Sequence, residues 1–77
     1  MVMFRDFTTR KARSLNLVGF VHNVPNGTVE VVAQGSRENL EKLIGYLHKG
    51  SLLSHVEEVT VEWRAPHRNF DSFALVR

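Results

Sequence analysis

Phe4, Phe7, Ala12 and Leu15 fall within one stripe of a 3.6-residue period, with the charges elsewhere, which predicts a helix over 5–15. Asn16 follows, and asparagine tolerates the left-handed conformation that often ends a helix. Leu17 to Asn23 carries Val18, Phe20 and Val21 and reads as a strand. Pro25-Asn26-Gly27 is a turn, and Asn-Gly is a strong hairpin signal. Thr28 to Gln34 reads as the partner strand. Val29, Val31 and Ala33 share one face, Thr28, Glu30 and Gln34 the other, and Val32 breaks the alternation. Gly35-Ser36 opens a second helix, with Ser36 as N-cap and Glu38 in the first turn. Leu40, Leu43, Ile44 and Leu47 follow i, i+3, i+4, i+7 spacing, and Lys49-Gly50 closes the helix. Ser51 to His55 is a connection. Val56 to Trp63 reads as a strand with Val59, Val61 and Trp63 on its apolar side, Pro66 to Asn69 as a loop, and Phe73 to Val76 as a short last strand.

The order is αββαββ. Alternating strands with one polar face predict an antiparallel sheet with two helices on one side, an α+β sandwich. This is one strand short of the βαββαβ plan of the ferredoxin-like architecture. A helix at the N-terminus with no strand feeding it is the odd feature. There are no internal repeats, linkers or low-complexity tracts, and 1–77 is expected to form one domain.

Composition narrows the chemistry. With no cysteine there is no disulfide framework, thiolate nucleophile or zinc–thiolate site. No apolar run approaches the ~20 residues of a membrane span, and the N-terminus lacks a secretory h-region, so the expected setting is cytoplasmic. The formal net charge is +2, and Arg5, Arg10, Lys11 and Arg13 crowd the start against Asp6 alone. Such a cluster is either a solvated helix face or a field that attracts a small anion. It is too small, and too poor in interleaved aromatics, for a nucleic-acid footprint. His22, His48, His55 and His67 lack metal-ligand spacing, and none of Ser14, Ser36, Ser51, Ser54 and Ser72 sits in a nucleophile-elbow context.

Several pieces in order resemble the acylphosphatase family, whose signature runs G-x-V-Q-G-V-x-F-R, then a helix, then L-G-L-x-G-x-V-x-N, then an Asn-Gly or Asp-Gly turn and V-E. Val2-Met3-Phe4-Arg5 matches the end of the first motif. Leu15-Asn16-Leu17-Val18-Gly19-Phe20-Val21-His22-Asn23 matches the second, with Asn16 in place of glycine. Asn26-Gly27-Thr28-Val29-Glu30 matches the turn and strand. Asn23 lies 18 positions after Arg5 (23 − 5), as in the family. Gly50-Ser51 stands where the family has Gly-Pro, and Phe73-Ala74-Leu75 resembles the closing F-x-I. Against that pattern the chain begins inside the loop, with Met1 where its last glycine would be. The first strand and most of the phosphate loop are therefore expected to be missing, and in the family's strand order 4-1-3-2 the gap falls between the third and fourth strands.

The resemblance implies hydrolysis of a small acyl phosphate to a carboxylate and phosphate, with no cofactor, metal or covalent intermediate. An acyl phosphate has a good leaving group, so the site must mainly hold the phosphoryl oxygens and place a water in line behind phosphorus. A planar guanidinium suits the first task and a carboxamide the second. The resemblance gives these roles to Arg5 and Asn23, with the backbone N–H groups of Val2, Met3, Phe4 and Arg5 as the phosphate nest. Arg5 is also an electrostatic oddity, since a cation opposes the positive end of a helix dipole. The bland alternatives are a surface arginine for Arg5 and a turn residue for Asn23. The expected partners are a small acyl phosphate or inorganic phosphate, with neither nucleic acid nor membrane. The hydrolase activity of so shortened a chain is expected to be impaired. A second reading is a catalytically inactive ferredoxin-like interaction module that self-associates through open strand edges. A third, an RNA-binding domain of the same architecture, lacks the aromatic pattern its sheet would need.

Overall fold

The computed structural model describes residues 2–50, 59–63 and 68–76. Helix α1 (Val2–Ser14) is followed by strands β1 (Val18–Asn23) and β2 (Val29–Gln34), helix α2 (Arg37–Lys49) and strand β3 (Phe73–Val76). The caps explain most boundaries. Asn16 adopts φ 57°, and Leu17 N–H reaches back to the Ala12 carbonyl at 2.9 Å, so α1 ends on a left-handed asparagine as expected. Ser36 accepts a hydrogen bond from Asn39 N–H, and Gly50, at φ 70°, closes α2. Between β1 and β2, Asn26 Oδ1 accepts from both the N–H and the hydroxyl of Thr28, while Val24 N–H donates to the Thr28 carbonyl. The hairpin thus turns on an asparagine side-chain bond within a loop longer than the two-residue type.

The sheet has the order β2-β1-β3. β1 pairs antiparallel with β2, from Val18↔Gln34 to Asn23↔Val29. It pairs parallel with β3, from Gly19↔Phe73 to His22↔Val76. The expected all-antiparallel sheet is therefore corrected to a mixed one. The strand expected at Val56–Trp63 is also corrected: 59–63 contains no strand, and 56–58 lies outside the described residues. A strand is maintained by ladder bonds to a neighbour, and 59–63 joins no ladder of the described sheet. Val59 still packs on the core, but Val61 and Trp63 are exposed, with the Arg37 guanidinium 4.2 Å over the Trp63 ring.

The core lies between the sheet and the two helices. Phe4, Ala12, Leu17, Val21, Leu43, Leu47 and Phe73 are buried, with Leu15, Val29, Val31, Ala33, Leu40 and Leu75 packed around them. Val21, on one face of β1, is fully buried, while Phe20 and His22 stand half-buried on the other. Phe73 is buried on the register that β3 shares with Gly19. Gly19 has φ 138°, and a Cβ there would meet the Val32 carbonyl oxygen at 1.9 Å. No L side chain fits without parting β1 from β2. Gly19→Ala is expected to cost at least about 3 kcal/mol, from backbone strain plus the clash. Urea unfolding checks this, and a loss below about 1 kcal/mol would show that the ladder yields freely.

Candidate functional site

Three rows of side chains divide α1. Phe4, Thr8 and Ala12 form the most deeply buried row. Phe7 and Lys11 lie toward α2, where the Lys11 ammonium stands 4.4 Å over the Tyr46 ring. Arg5, Thr9 and Arg13 follow β3. Arg5 Nη1 donates to the Val76 carbonyl at 3.3 Å, and Arg13 Nε donates to the Phe73 carbonyl at 3.0 Å. Eight residues of helix rise about 12 Å, and three residues of strand about 10 Å. The two arginines therefore clamp both ends of β3, and α1 runs antiparallel to it.

This clamp defines one end of the molecule. The N-terminus of α1, the C-terminal end of β1 and the C-terminal end of β3 meet there. Val2, Met3 and Phe4 form the first turn of α1. The nest expected in a loop ahead of the helix is thus placed in the helix itself, where the first N–H groups have no intrahelical acceptor. The first turn holds no acidic residue, so α1 itself supplies no carboxylate against its positive dipole end, which favours an anion. Arg5 is not the exposed surface charge of the bland alternative: it is only 8% exposed. Asn23 is exposed at the end of β1, one residue beyond His22, which pairs with Val76. Its side chain has no hydrogen-bond partner among the described residues. Arg5, through its bond to the Val76 carbonyl, and Asn23, one residue beyond the strand partner of Val76, thus both belong to the C-terminal end of β3 although they are 18 positions apart in sequence (23 − 5).

Two polar atoms at this end are buried and unpaired, Arg5 Nε and Thr8 Oγ1. Thr8 is fully buried. Sequence reasoning passed over it, because a threonine in an apolar helical stripe gives no signal beyond its tolerance of burial. The Val76 carbonyl was missed for a different reason, since no sequence pattern reports a backbone acceptor.

The other face of the sheet differs in character. His22 Nε2 and Glu30 Oε1 pair across β1 and β2 at 2.7 Å. The Arg68 guanidinium lies 4.7 Å over the Phe70 ring and 5.7 Å over that of Phe20. Phe20, His22, Glu30, Arg68 and Val76 line an open hollow of about 370 Å³. Among the described residues no His, Asp and Glu cluster could hold a metal, and no helix is long and apolar enough to cross a membrane. His48 is exposed in the last turn of α2, and His55 and His67 lie outside the described residues.

Two helices on a mixed three-stranded sheet define an α+β sandwich of the ferredoxin-like class, with a helix N-terminus, a buried arginine and an exposed carboxamide at one end. The chain belongs to the acylphosphatase family, whose model matches residues 1–75. It is 43% identical over 76 residues to an acylphosphatase of Methanococcoides burtonii, an alignment covering 99% of this chain and 79% of that one. It is 46% identical over 75 residues to an acylphosphatase of Thermococcus kodakarensis, covering 97% and 81%. The fold is similar to the crystal structure of acylphosphatase from Bacillus subtilis, with a TM-score of 0.88 at 30% identity, covering 99% of this chain and 84% of that one.

Proposed function

We propose that the protein hydrolyses the carboxyl–phosphate bond of small acyl phosphates, with Arg5 holding the phosphoryl group and Asn23 placing the attacking water. The observation that carries this reading is the Arg5 bond to the Val76 carbonyl at the α1 N-terminus, with Asn23 one residue beyond the strand partner of Val76. In the resting structure the guanidinium makes one long bond from Nη1 to the Val76 carbonyl, and its Nη groups are the donors offered to phosphoryl oxygens. The N–H groups of Val2, Met3 and Phe4 add donors along the helix axis. Together they stabilise charge on the phosphoryl oxygens as the bond to the carboxylate breaks. The Asn23 amide accepts from a water through its oxygen and donates to a phosphoryl oxygen through its nitrogen. The departing carboxylate is a weak base, so the reaction runs on positioning and electrostatics, without a strong general acid.

Arg5→Ala is expected to lower kcat/KM by roughly 2.7–4 kcal/mol in transition-state stabilisation, the usual effect of losing one such donor. Phosphate release from a small acyl phosphate measures it, and an unchanged kcat/KM would overturn the role of Arg5. Asn23→Ala should lower kcat more than it raises KM. A defect in KM alone would make Asn23 a binding or turn residue.

β2 supports a further part of the reading. Among the described residues it stands at the edge of the sheet with only β1 beside it, and an unpaired strand edge is a template for another strand. We propose that these seventy-seven residues on their own associate with further copies through that edge, and turn over more slowly than a chain in which the edge is covered. Placing a strand and Gly-x-Val-Gln-Gly ahead of Val2 should raise turnover and make the sedimentation coefficient independent of concentration. If both chains sediment alike and turn over alike, the edge has no such role.

A further inference from the structure

We infer that Thr8 is a positioning residue for Arg5: its hydroxyl is the acceptor that fixes the guanidinium in the phosphate-engaged arrangement. The inference rests on the reading of Arg5 as the anion ligand. Thr8 is fully buried, yet its Oγ1 has no hydrogen-bond partner. A buried hydroxyl left unmade is costly, and a helical threonine normally avoids that cost by donating to the carbonyl four residues back. Thr9 does this, bonding the Arg5 carbonyl at 2.9 Å. Thr8 does not use the carbonyl of Phe4. Its hydroxyl is therefore held away from the default partner in the helix layer.

The one other buried, unpaired side-chain polar atom among the described residues is Arg5 Nε. It is a donor and Thr8 Oγ1 can accept, so the two are chemically complementary. They stand three residues apart on α1, a spacing that puts Cβ atoms about 5–6 Å apart on one helix face. The remaining tether of the guanidinium is weak, a 3.3 Å bond from Nη1 to Val76. When an anion at the α1 N-terminus draws the guanidinium from Val76, a side-chain rotation brings Nε to Thr8 Oγ1. The Nη edge then faces the phosphoryl oxygens, and both buried atoms are satisfied at once. The structure shows the arrangement before that rotation.

Thr8→Val and Thr8→Ser separate this role from mere packing. Valine keeps the shape and removes the hydroxyl, so the fold loses an unsatisfied polar atom and its melting temperature should not fall. The loss of one hydrogen bond that forms when the anion binds should lower kcat/KM about tenfold. Thr8→Ser keeps the hydroxyl and should retain most of kcat/KM. A readout independent of turnover is the Arg5 Nε–H resonance, titrated with inorganic phosphate. Phosphate should shift it and slow its exchange in the wild-type chain and in Thr8→Ser, but not in Thr8→Val. If phosphate moves the resonance equally in wild type and Thr8→Val, or if kcat/KM is unchanged by valine, the role of Thr8 is overturned. If serine fails to restore what valine removes, Thr8 is a packing residue. If phosphate leaves the resonance unmoved in wild type, the anion-ligand role of Arg5 fails and the pairing falls with it. If phosphate moves it as expected but no acyl phosphate is turned over, the pairing stands and the hydrolase reading fails.

Discussion

The parallel pairing of β1 with β3 is the constraint on which the rest of the molecule depends. Among the described residues β1 is the only strand with neighbours on both sides, and β3 contributes four residues, Phe73–Val76. That short ladder fixes the height of Val76 against His22, and so the place where Arg5 can find an acceptor. It also lays Phe73 into the core under α1. Without β3, Arg5 and Arg13 would lose their backbone partners together, since both bond to its carbonyls. The end of the molecule where we propose that an anion binds is thus defined by strand register, with the helix following the register through two arginines.

The same arrangement explains how an arginine at a helix N-terminus is tolerated. A cation there is opposed by the dipole, and a nearly buried cation also loses hydration. Arg13, at the other end of the row, suffers neither penalty: it is exposed and lies in the last turn, where the dipole favours a cation. The two arginines make similar backbone bonds, but only Arg5 makes its bond against opposing electrostatics. A site that receives an anion reverses both terms, because the ligand supplies the negative charge that the helix end and the guanidinium lack.

Much of the local structure was legible in the residues. Asn16, Ser36 and Gly50 announce the helix ends because capping is decided by one side chain and its neighbours. The faces of β2 and the buried row of α2 follow from periodicity. The resemblance supplied Arg5 and Asn23, and the structure gives them a common end. What was not legible was non-local. The parallel course of β3 depends on a partner more than fifty residues earlier, and no alternation pattern carries direction. Val56–Trp63 has strand periodicity, but periodicity describes a face and cannot provide a ladder partner. Its Val61 and Trp63, read as inward, lie outward in consequence.

Thr8 marks the limit of pattern reading most clearly. In the row Phe4, Thr8, Ala12 a hydrophobic residue would pack as well and would leave no hydroxyl unsatisfied. Local rules that agree everywhere else in α1 are broken at this position and at Arg5, three residues away. Proteins break such rules chiefly where a site needs a group that the fold would not choose. Two buried polar atoms of opposite hydrogen-bonding sense on one helix face, beside a helix end open to anions, are better explained by a shared task than by two separate packing faults. The cost they impose on the resting fold is recovered only when something draws the guanidinium outward, so their burial and the chemistry at the end of the sheet belong to one arrangement.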